Sequence, residues 1–86
     1  MGVYANQEPF EGTVTTTATL TFARKSRILE IINDSGTRKL QFKLNSSESY
    51  ATLMPLEAIS IPVWAPSLFL YSPDSKAVPY RVRVYG

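Results

Sequence analysis

The chain has 86 residues and a mass of 9.6 kDa, the size of one small domain. Hydrophobic residues make up 44% of it, which is enough for a packed core. It contains no cysteine and no histidine, so disulfides, thiolate metal sites and histidine-based catalysis are excluded. The formal charge of +2 falls short of the clustered basic face that is typical of nucleic-acid binding.

Two further classes of protein are not expected. No apolar run approaches the roughly 20 residues that span a bilayer, and the N-terminus lacks the basic and apolar parts of a signal peptide. We therefore expect no membrane association. Nucleic-acid binding stays open as a minor hypothesis on five basic residues: Arg24, Lys25, Arg27, Arg81 and Arg83.

The N-terminal segment has no regular period. Glycine, proline and asparagine interrupt residues 1–12, and this predicts a short N-terminal arm. The arm carries apolar side chains that could dock on a neighbour, namely Val3, Tyr4 and Phe10.

Alternation then predicts strands. From residue 13 to residue 23, threonines alternate with mainly apolar residues, which indicates a strand with one buried face. Residues 28–44 predict a hairpin, because two apolar segments flank the turn sequence Asn33-Asp34-Ser35-Gly36. Glu30 lies within the first apolar segment, and we expect it to face solvent or form an ion pair.

The second half of the chain continues the pattern. Short strands are predicted at residues 50–54, 59–63, 68–71 and 78–85, and Pro62 makes the second of these an edge or interrupted strand. The total is about seven strands with no long helix. We therefore predict an all-β fold, a single small antiparallel β-sandwich of jelly-roll or Ig-like type over residues 13–86, with residues 1–12 as the arm.

The residue types argue against catalysis. The seven carboxylates are dispersed along the chain, and without histidine no Ser–His–Asp set can form. The four glycines are isolated, so there is no phosphate-binding loop. We expect no enzyme activity, no cofactor and no metal site.

Aromatic residues and strand edges suggest binding to other molecules. Aromatic rings are enriched in protein interfaces, and Trp64, between Pro62 and Pro66, is expected to be partly exposed. The threonine strand carries few charges, so it is a poorly protected edge that another chain could cover. A small β domain also gains stability by association, and we expect a homo-oligomer.

Four segments then occur in a recognisable order. They are residues 27–36 (RILEIINDSG), 40–44 (LQFKL), 52–57 (TLMPLE) and 80–86 (YRVRVYG). This order resembles small β-sandwich structural proteins of tailed bacteriophages. Leu56 departs from that pattern, which usually has glycine there, so a different type of turn is expected.

The resemblance implies a structural virion protein, made in the host cytoplasm and acting by protein–protein assembly as capsid decoration, head–tail connector or tail or fibre component. Other virion proteins would be its partners. The alternative is a carbohydrate-binding β-sandwich module that uses exposed aromatic residues. The residues expected to make contacts are Val3, Tyr4, Phe10, Trp64, Phe69, Tyr71 and Tyr85.

Overall fold

The computed structural model describes residues 7–23, 25–45 and 49–85. All regular structure in these ranges is β strand, and no helix that could cross a membrane occurs among them. The strands are β1 (Gln7–Val14), β2 (Thr17–Thr21), β3 (Ile28–Asn33), β4 (Leu40–Lys43), β5 (Ala51–Leu53), β6 (Ala58–Ile61), β7 (Ser67–Tyr71) and β8 (Val78–Tyr85).

The strands form two four-stranded antiparallel sheets. Sheet A has the order β1-β8-β3-β6, and sheet B has the order β2-β7-β4-β5. The pairing is nested, because β1 pairs with β8, β2 with β7, β3 with β6 and β4 with β5. This is the order of a jelly roll, so the predicted all-β sandwich is confirmed, with eight described strands instead of about seven.

The predicted arm is partly wrong. Residues 7–12 belong to β1, which pairs along its whole length with β8 from Gln7↔Tyr85 to Val14↔Val78. Glycine and proline did not prevent this, because β1 is an edge strand of sheet A and has a neighbour on one side. Val3 and Tyr4 lie outside the described residues.

The threonine strand is divided between the sheets. A bend at Thr15 and Thr16 ends β1 and starts β2, which pairs with β7 at one edge of sheet B. Ala18 and Leu20 of β2 face the core, and the threonines between them are exposed. The predicted inward side is confirmed for Ala18 and Leu20, but the single strand predicted over residues 13–23 is wrong, because a corner at Thr15 and Thr16 carries the chain from one sheet to the other.

The predicted hairpin over residues 28–44 is wrong. β3 lies in sheet A between β8 and β6, whereas β4 lies in sheet B between β7 and β5. The segment between them crosses the sandwich instead of closing a two-stranded turn. Asparagine, aspartate, serine and glycine suit a crossing loop as well as a hairpin turn, so their presence could not decide between the two.

The core fills the space between the sheets. Its largest fully buried apolar side chains come from strands of both sheets. They are Val14, Leu29, Ile31, Leu40, Leu68, Leu70, Val78 and Val82.

Candidate functional site

The interior of the sandwich offers no polar site within the described residues. Its inward side chains are mostly apolar, and every buried side-chain nitrogen or oxygen there has a hydrogen-bond partner. No group of three or more potential metal ligands is found in those residues, and the sequence lacks histidine and cysteine altogether. The described residues therefore supply no set of three or more such ligands for a metal inside the sandwich.

A cleft opens on one side of the molecule, where β5 and β6 are the edge strands of their sheets. This side cleft has a volume of about 240 Å³. Phe42 and Leu53 form its buried apolar part, and Glu57 supplies a carboxylate. The remaining lining residues are Ala51, Thr52, Ala58 and Ile59.

Exposed apolar side chains lie on the same side. Four large ones stand out in the described residues, and all lie in β6 or within four residues of it along the chain. They are Met54 (49% exposed), Leu56 (70%), Ile59 (37%) and Trp64 (68%). We call these four residues the edge patch. Large exposed apolar patches mark binding surfaces, and four such side chains between Met54 and Trp64 make this stretch of the chain a candidate.

The turn before β6 is strained. Glu57 N donates to Met54 O at 3.0 Å, which closes a four-residue turn with Pro55 in its second position. Leu56, in the third position, has a φ of 63°, a value usually left to glycine in type II turns. A leucine is therefore held in an unfavourable backbone conformation with its side chain in solvent.

Asn33 holds this turn in place. It is fully buried, and its Nδ2 lies 2.8 Å from Arg38 O, 3.3 Å from Leu53 O and 3.1 Å from Met54 O. Its Oδ1 accepts a bond from Ser35 N at 2.9 Å. One side chain thus ties the loop after β3 to the end of β5, and so positions the side cleft.

The loop after β6 is pinned as well. Ser26 is fully buried, and its Oγ donates to Val63 O at 2.5 Å and accepts from Ala65 N at 3.1 Å. Ser26 N donates to Ala65 O at 3.0 Å. The loop therefore presents Trp64 from a fixed backbone, with Lys25 Nζ 5.8 Å from the centre of its ring.

The residues predicted to make contacts are dispersed. Trp64 is exposed as expected, but Phe10 faces the core and packs against Phe22, with ring centroids 5.7 Å apart. Phe69 and Tyr71 are half-buried on the outer face of sheet B. Tyr85 is half-buried at the end of β8, opposite Gln7 and Ile28.

The outer face of sheet B carries a ring cluster. Tyr50 stacks on Tyr71 with centroids 5.1 Å apart. Lys43 Nζ lies 4.5 Å from the Tyr50 centroid and 5.9 Å from that of Phe69. These contacts place the rings against one another and under the lysine ammonium group, in agreement with their partial burial.

The arginines of β8 are engaged in ion pairs. Arg81 donates to both carboxylate oxygens of Asp34, at 2.8 and 2.9 Å. These bonds lower the pKa of Asp34 below its ordinary value. Arg83 donates to Glu30 at 3.1 Å, so of the two expectations for that carboxylate, solvent exposure or an ion pair, the structure shows the ion pair. Both guanidinium groups are thus paired with carboxylates of this chain, which weakens the nucleic-acid hypothesis.

Comparison with known proteins shows which solved structures have a similar fold. No family model matches the sequence, and no curated protein matches it. The Cupin_2 domain of an XRE family transcriptional regulator from Enterobacter cloacae is similar in structure, with a TM-score of 0.64, 15% identity, and coverage of 93% of this chain and 81% of that chain. A cupin superfamily protein from Desulfitobacterium hafniense has a TM-score of 0.58 at 4% identity, over 99% and 82% of the two chains.

A de novo designed double-stranded β-helix is also similar, with a TM-score of 0.56, 13% identity, and coverage of 88% of this chain and 96% of that one. The chain has a cupin-like fold. Identities this low establish the architecture alone.

These neighbours correct the expected function. The resemblance in strand and turn pattern implied a structural virion role, yet the similar structures are cupin-domain proteins and not phage structural proteins. The virion role is therefore wrong. The resemblance rested on alternating strands and polar turns, which any small β-sandwich requires, and so it carried little information about function.

Sequence reasoning missed most of the edge patch. One signal was available: no charged residue occurs between Glu57 and Asp74, a stretch that includes the edge strand β6. Exposed edge strands usually carry charges that prevent pairing, so a neutral one is unusual. A second signal was Leu56 in a position that favours glycine.

Proposed function

We propose that this protein is a non-catalytic, cupin-like binding domain whose ligand occupies the side cleft. The observation that carries the proposal is the cleft itself, an opening between the edges of two packed sheets with an apolar floor. Pockets of small-molecule sites are concave, mainly apolar and supplied with a few polar groups. The fold of the Enterobacter cloacae neighbour, a cupin domain of a transcriptional regulator, agrees with a role as one binding module.

The lining defines the class of ligand. A volume of about 240 Å³ is smaller than the roughly 300–1,000 Å³ of pockets for drug-sized ligands, so the ligand has a single ring or a short chain. Phe42, Leu53 and Ile59 favour an apolar body. Glu57 accepts one bond from Met54 N at 2.9 Å, and its carboxylate has lone pairs for a further donor. The ligand is therefore a small apolar molecule with a cationic or hydrogen-bond-donating end.

Two matched probes test this proposal, 2-phenylethylamine and 2-phenylethanol. Each is titrated into ¹⁵N-labelled protein while the backbone amide signals are followed. We expect saturable shifts at Leu53, Ala58 and Ile59, with affinity near about 1 mM for so small a ligand. The amine should bind more tightly than the alcohol, because Glu57 attracts its charge.

Three variants sharpen the test. Ala51→Phe fills the cleft and should abolish the shifts, whereas Ala77→Phe, at an exposed position after β7, should leave them unchanged. Glu57→Gln keeps an acceptor for Met54 N and should remove the preference for the amine. Absence of saturable shifts with both probes, or equal binding by Ala51→Phe, would contradict the proposal.

A further inference from the structure

We infer that the outer edge of β6, which no described strand covers, pairs with β6 of a second copy of this chain, which gives a two-fold symmetric dimer with a continuous eight-stranded sheet. This inference does not depend on the ligand of the side cleft. It rests on the backbone geometry of β6, on the edge patch and on the charges at the two ends of the strand.

The backbone of β6 has groups aimed away from the sandwich. Asn33 N donates to Glu57 O at 2.9 Å, and Ile59 lies opposite Ile31 in the same register. Because backbone groups alternate in direction along an antiparallel strand, the N–H and C=O groups of residues 57, 59 and 61 point toward β3. Ala58 and Ser60 therefore direct their N–H and C=O groups outward, and both residues are exposed.

A two-fold axis at Ser60 makes this edge self-complementary. Ser60 then lies opposite Ser60 of the second copy, and Ala58 lies opposite Pro62. Four inter-chain bonds follow, two between the serines and two from Ala58 N–H to Pro62 C=O. Pro62 has no N–H to contribute, but its carbonyl is sufficient for this pairing.

The same register brings exposed apolar side chains of the two copies together. Leu56 precedes β6 by two residues and Trp64 follows it by three, so antiparallel pairing brings Leu56 of each copy to the end of the strand where Trp64 of the other lies. Leu56 and Trp64 are the two most exposed members of the edge patch, and each stands on a fixed backbone. Each contact lies at one end of the paired strands, and a tryptophan buried in an interface is typical of an energetic hot spot. This contact also explains why a leucine is retained at a φ of 63°.

Charge complementarity favours a second copy over an unrelated partner. β6 is uncharged, so pairing places no charge opposite its own copy. Glu57 precedes the strand, whereas Lys25 lies beside Trp64 beyond its other end. Antiparallel pairing brings the glutamate of each copy toward the lysine of the other, as specificity in an isologous interface requires.

Light scattering after size exclusion, over a dilution series of the full chain, tests the dimer. The wild type should show about twice 9.6 kDa at high concentration and dissociate on dilution. Trp64 is the single tryptophan, so its emission should shift to longer wavelength as the dimer dissociates. A wild type that is monomeric at every concentration, or one that forms a trimer or larger ring, would overturn the inference.

Two proline variants provide the matched comparison. Ser60→Pro removes an outward N–H at the edge of sheet A, and Thr19→Pro removes one at the β2 edge of sheet B. Thr19 N–H points outward because Phe22 N donates to Pro66 O, so the even-numbered residues of β2 are the ones that form hydrogen bonds with β7. Ser60→Pro should weaken association at least tenfold, whereas Thr19→Pro should not. Equal behaviour of the two variants would contradict pairing through β6.

A surface variant tests the same interface without the risk that Ser60→Pro does not fold. Trp64→Ser changes an exposed side chain and should leave the amide spectrum of the monomer largely intact. It should also weaken association at least tenfold. Unchanged dimerisation of Trp64→Ser would overturn the proposed register even if Ser60→Pro did not fold.

Discussion

At the scale of single residues, Asn33 does more for this fold than its position in a turn sequence suggests. Its buried amide serves three carbonyl groups and one N–H, from the adjoining loop at Ser35 and Arg38 and from Leu53 and Met54, which lie about twenty residues further along the chain. A buried polar group in a satisfied network contributes to a unique arrangement, and its removal leaves several partners without bonds.

Asn33→Ala should therefore lower the free energy of unfolding by about 2–4 kcal/mol, because each buried group left without a partner costs about 1–3 kcal/mol. Urea denaturation followed by fluorescence measures this. Thr37→Ala, an exposed change in the same loop, should stay within about 0.5 kcal/mol of the wild type. Equal stability of the two variants would show that Asn33 is not the connecting residue.

Leu56 gives a second prediction. Leu56→Gly should stabilise the monomer by about 0.5–1 kcal/mol, because a left-handed backbone costs a leucine about 1–2 kcal/mol and glycine's greater unfolded-state entropy offsets part of the gain. Thermal unfolding at a protein concentration of about 1 µM measures the stability of the monomer, because dilution disfavours association. Leu56→Ala keeps the backbone cost and should give no gain, so equal effects of both variants would contradict the strain.

At the scale of elements, the sequence predicted strands better than it predicted their partners. β8 agrees with its predicted alternation, because every second side chain in it is buried, and β7 agrees with the strand predicted over residues 68–71 to within one residue. The hairpin between β3 and β4 failed for another reason. The alternation of apolar and polar residues indicates which face of a strand is buried, but it does not indicate which strand lies beside it.

The candidate site was harder to predict for the same reason. Leu53, Glu57 and Ile59 are close in sequence, but Phe42 joins them only because β4 and β5 pair in sheet B. Trp64 was predicted to be exposed from its flanking prolines. Met54 and Leu56 were not, since nothing local shows that the turn between β5 and β6 stands at an open side of the sandwich.

The ion pair between Asp34 and Arg81 connects the loop after β3 to β8. The hydrogen bonds from Arg81 lower the folded-state pKa of Asp34, so this pair stabilises the protein above the unfolded-state pKa, and its contribution is lost as the pH falls through the folded-state value. Asp34→Asn should therefore lose less stability than the wild type between about pH 5 and pH 2.

Thermal unfolding at a series of pH values measures this difference. Arg81→Gln removes the other partner and should reduce the pH dependence in the same direction. If both variants kept the wild-type dependence on pH, the pair would not stabilise the fold.

At the scale of the whole molecule, the β1–β2 side and the β5–β6 side of the sandwich differ in their loops and exposed side chains. On one side the chain passes directly from β1 to β2. The other side has the strained turn, the side cleft and the edge patch. The outer face of sheet A is occupied by ion pairs, and that of sheet B by rings packed on one another. We therefore propose the β5–β6 side as the binding side of the molecule.

Hydrogen exchange of backbone amides over a range of protein concentrations tests this proposal most directly. The outward amides of Ala58 and Ser60 in β6 are compared with those of Thr17, Thr19 and Thr21 on the opposite side. Protection of the β6 amides should increase with concentration, while that of the β2 amides should not change. Exchange that is independent of concentration at both edges, or protection that develops at β2 instead, would contradict a binding surface at β6.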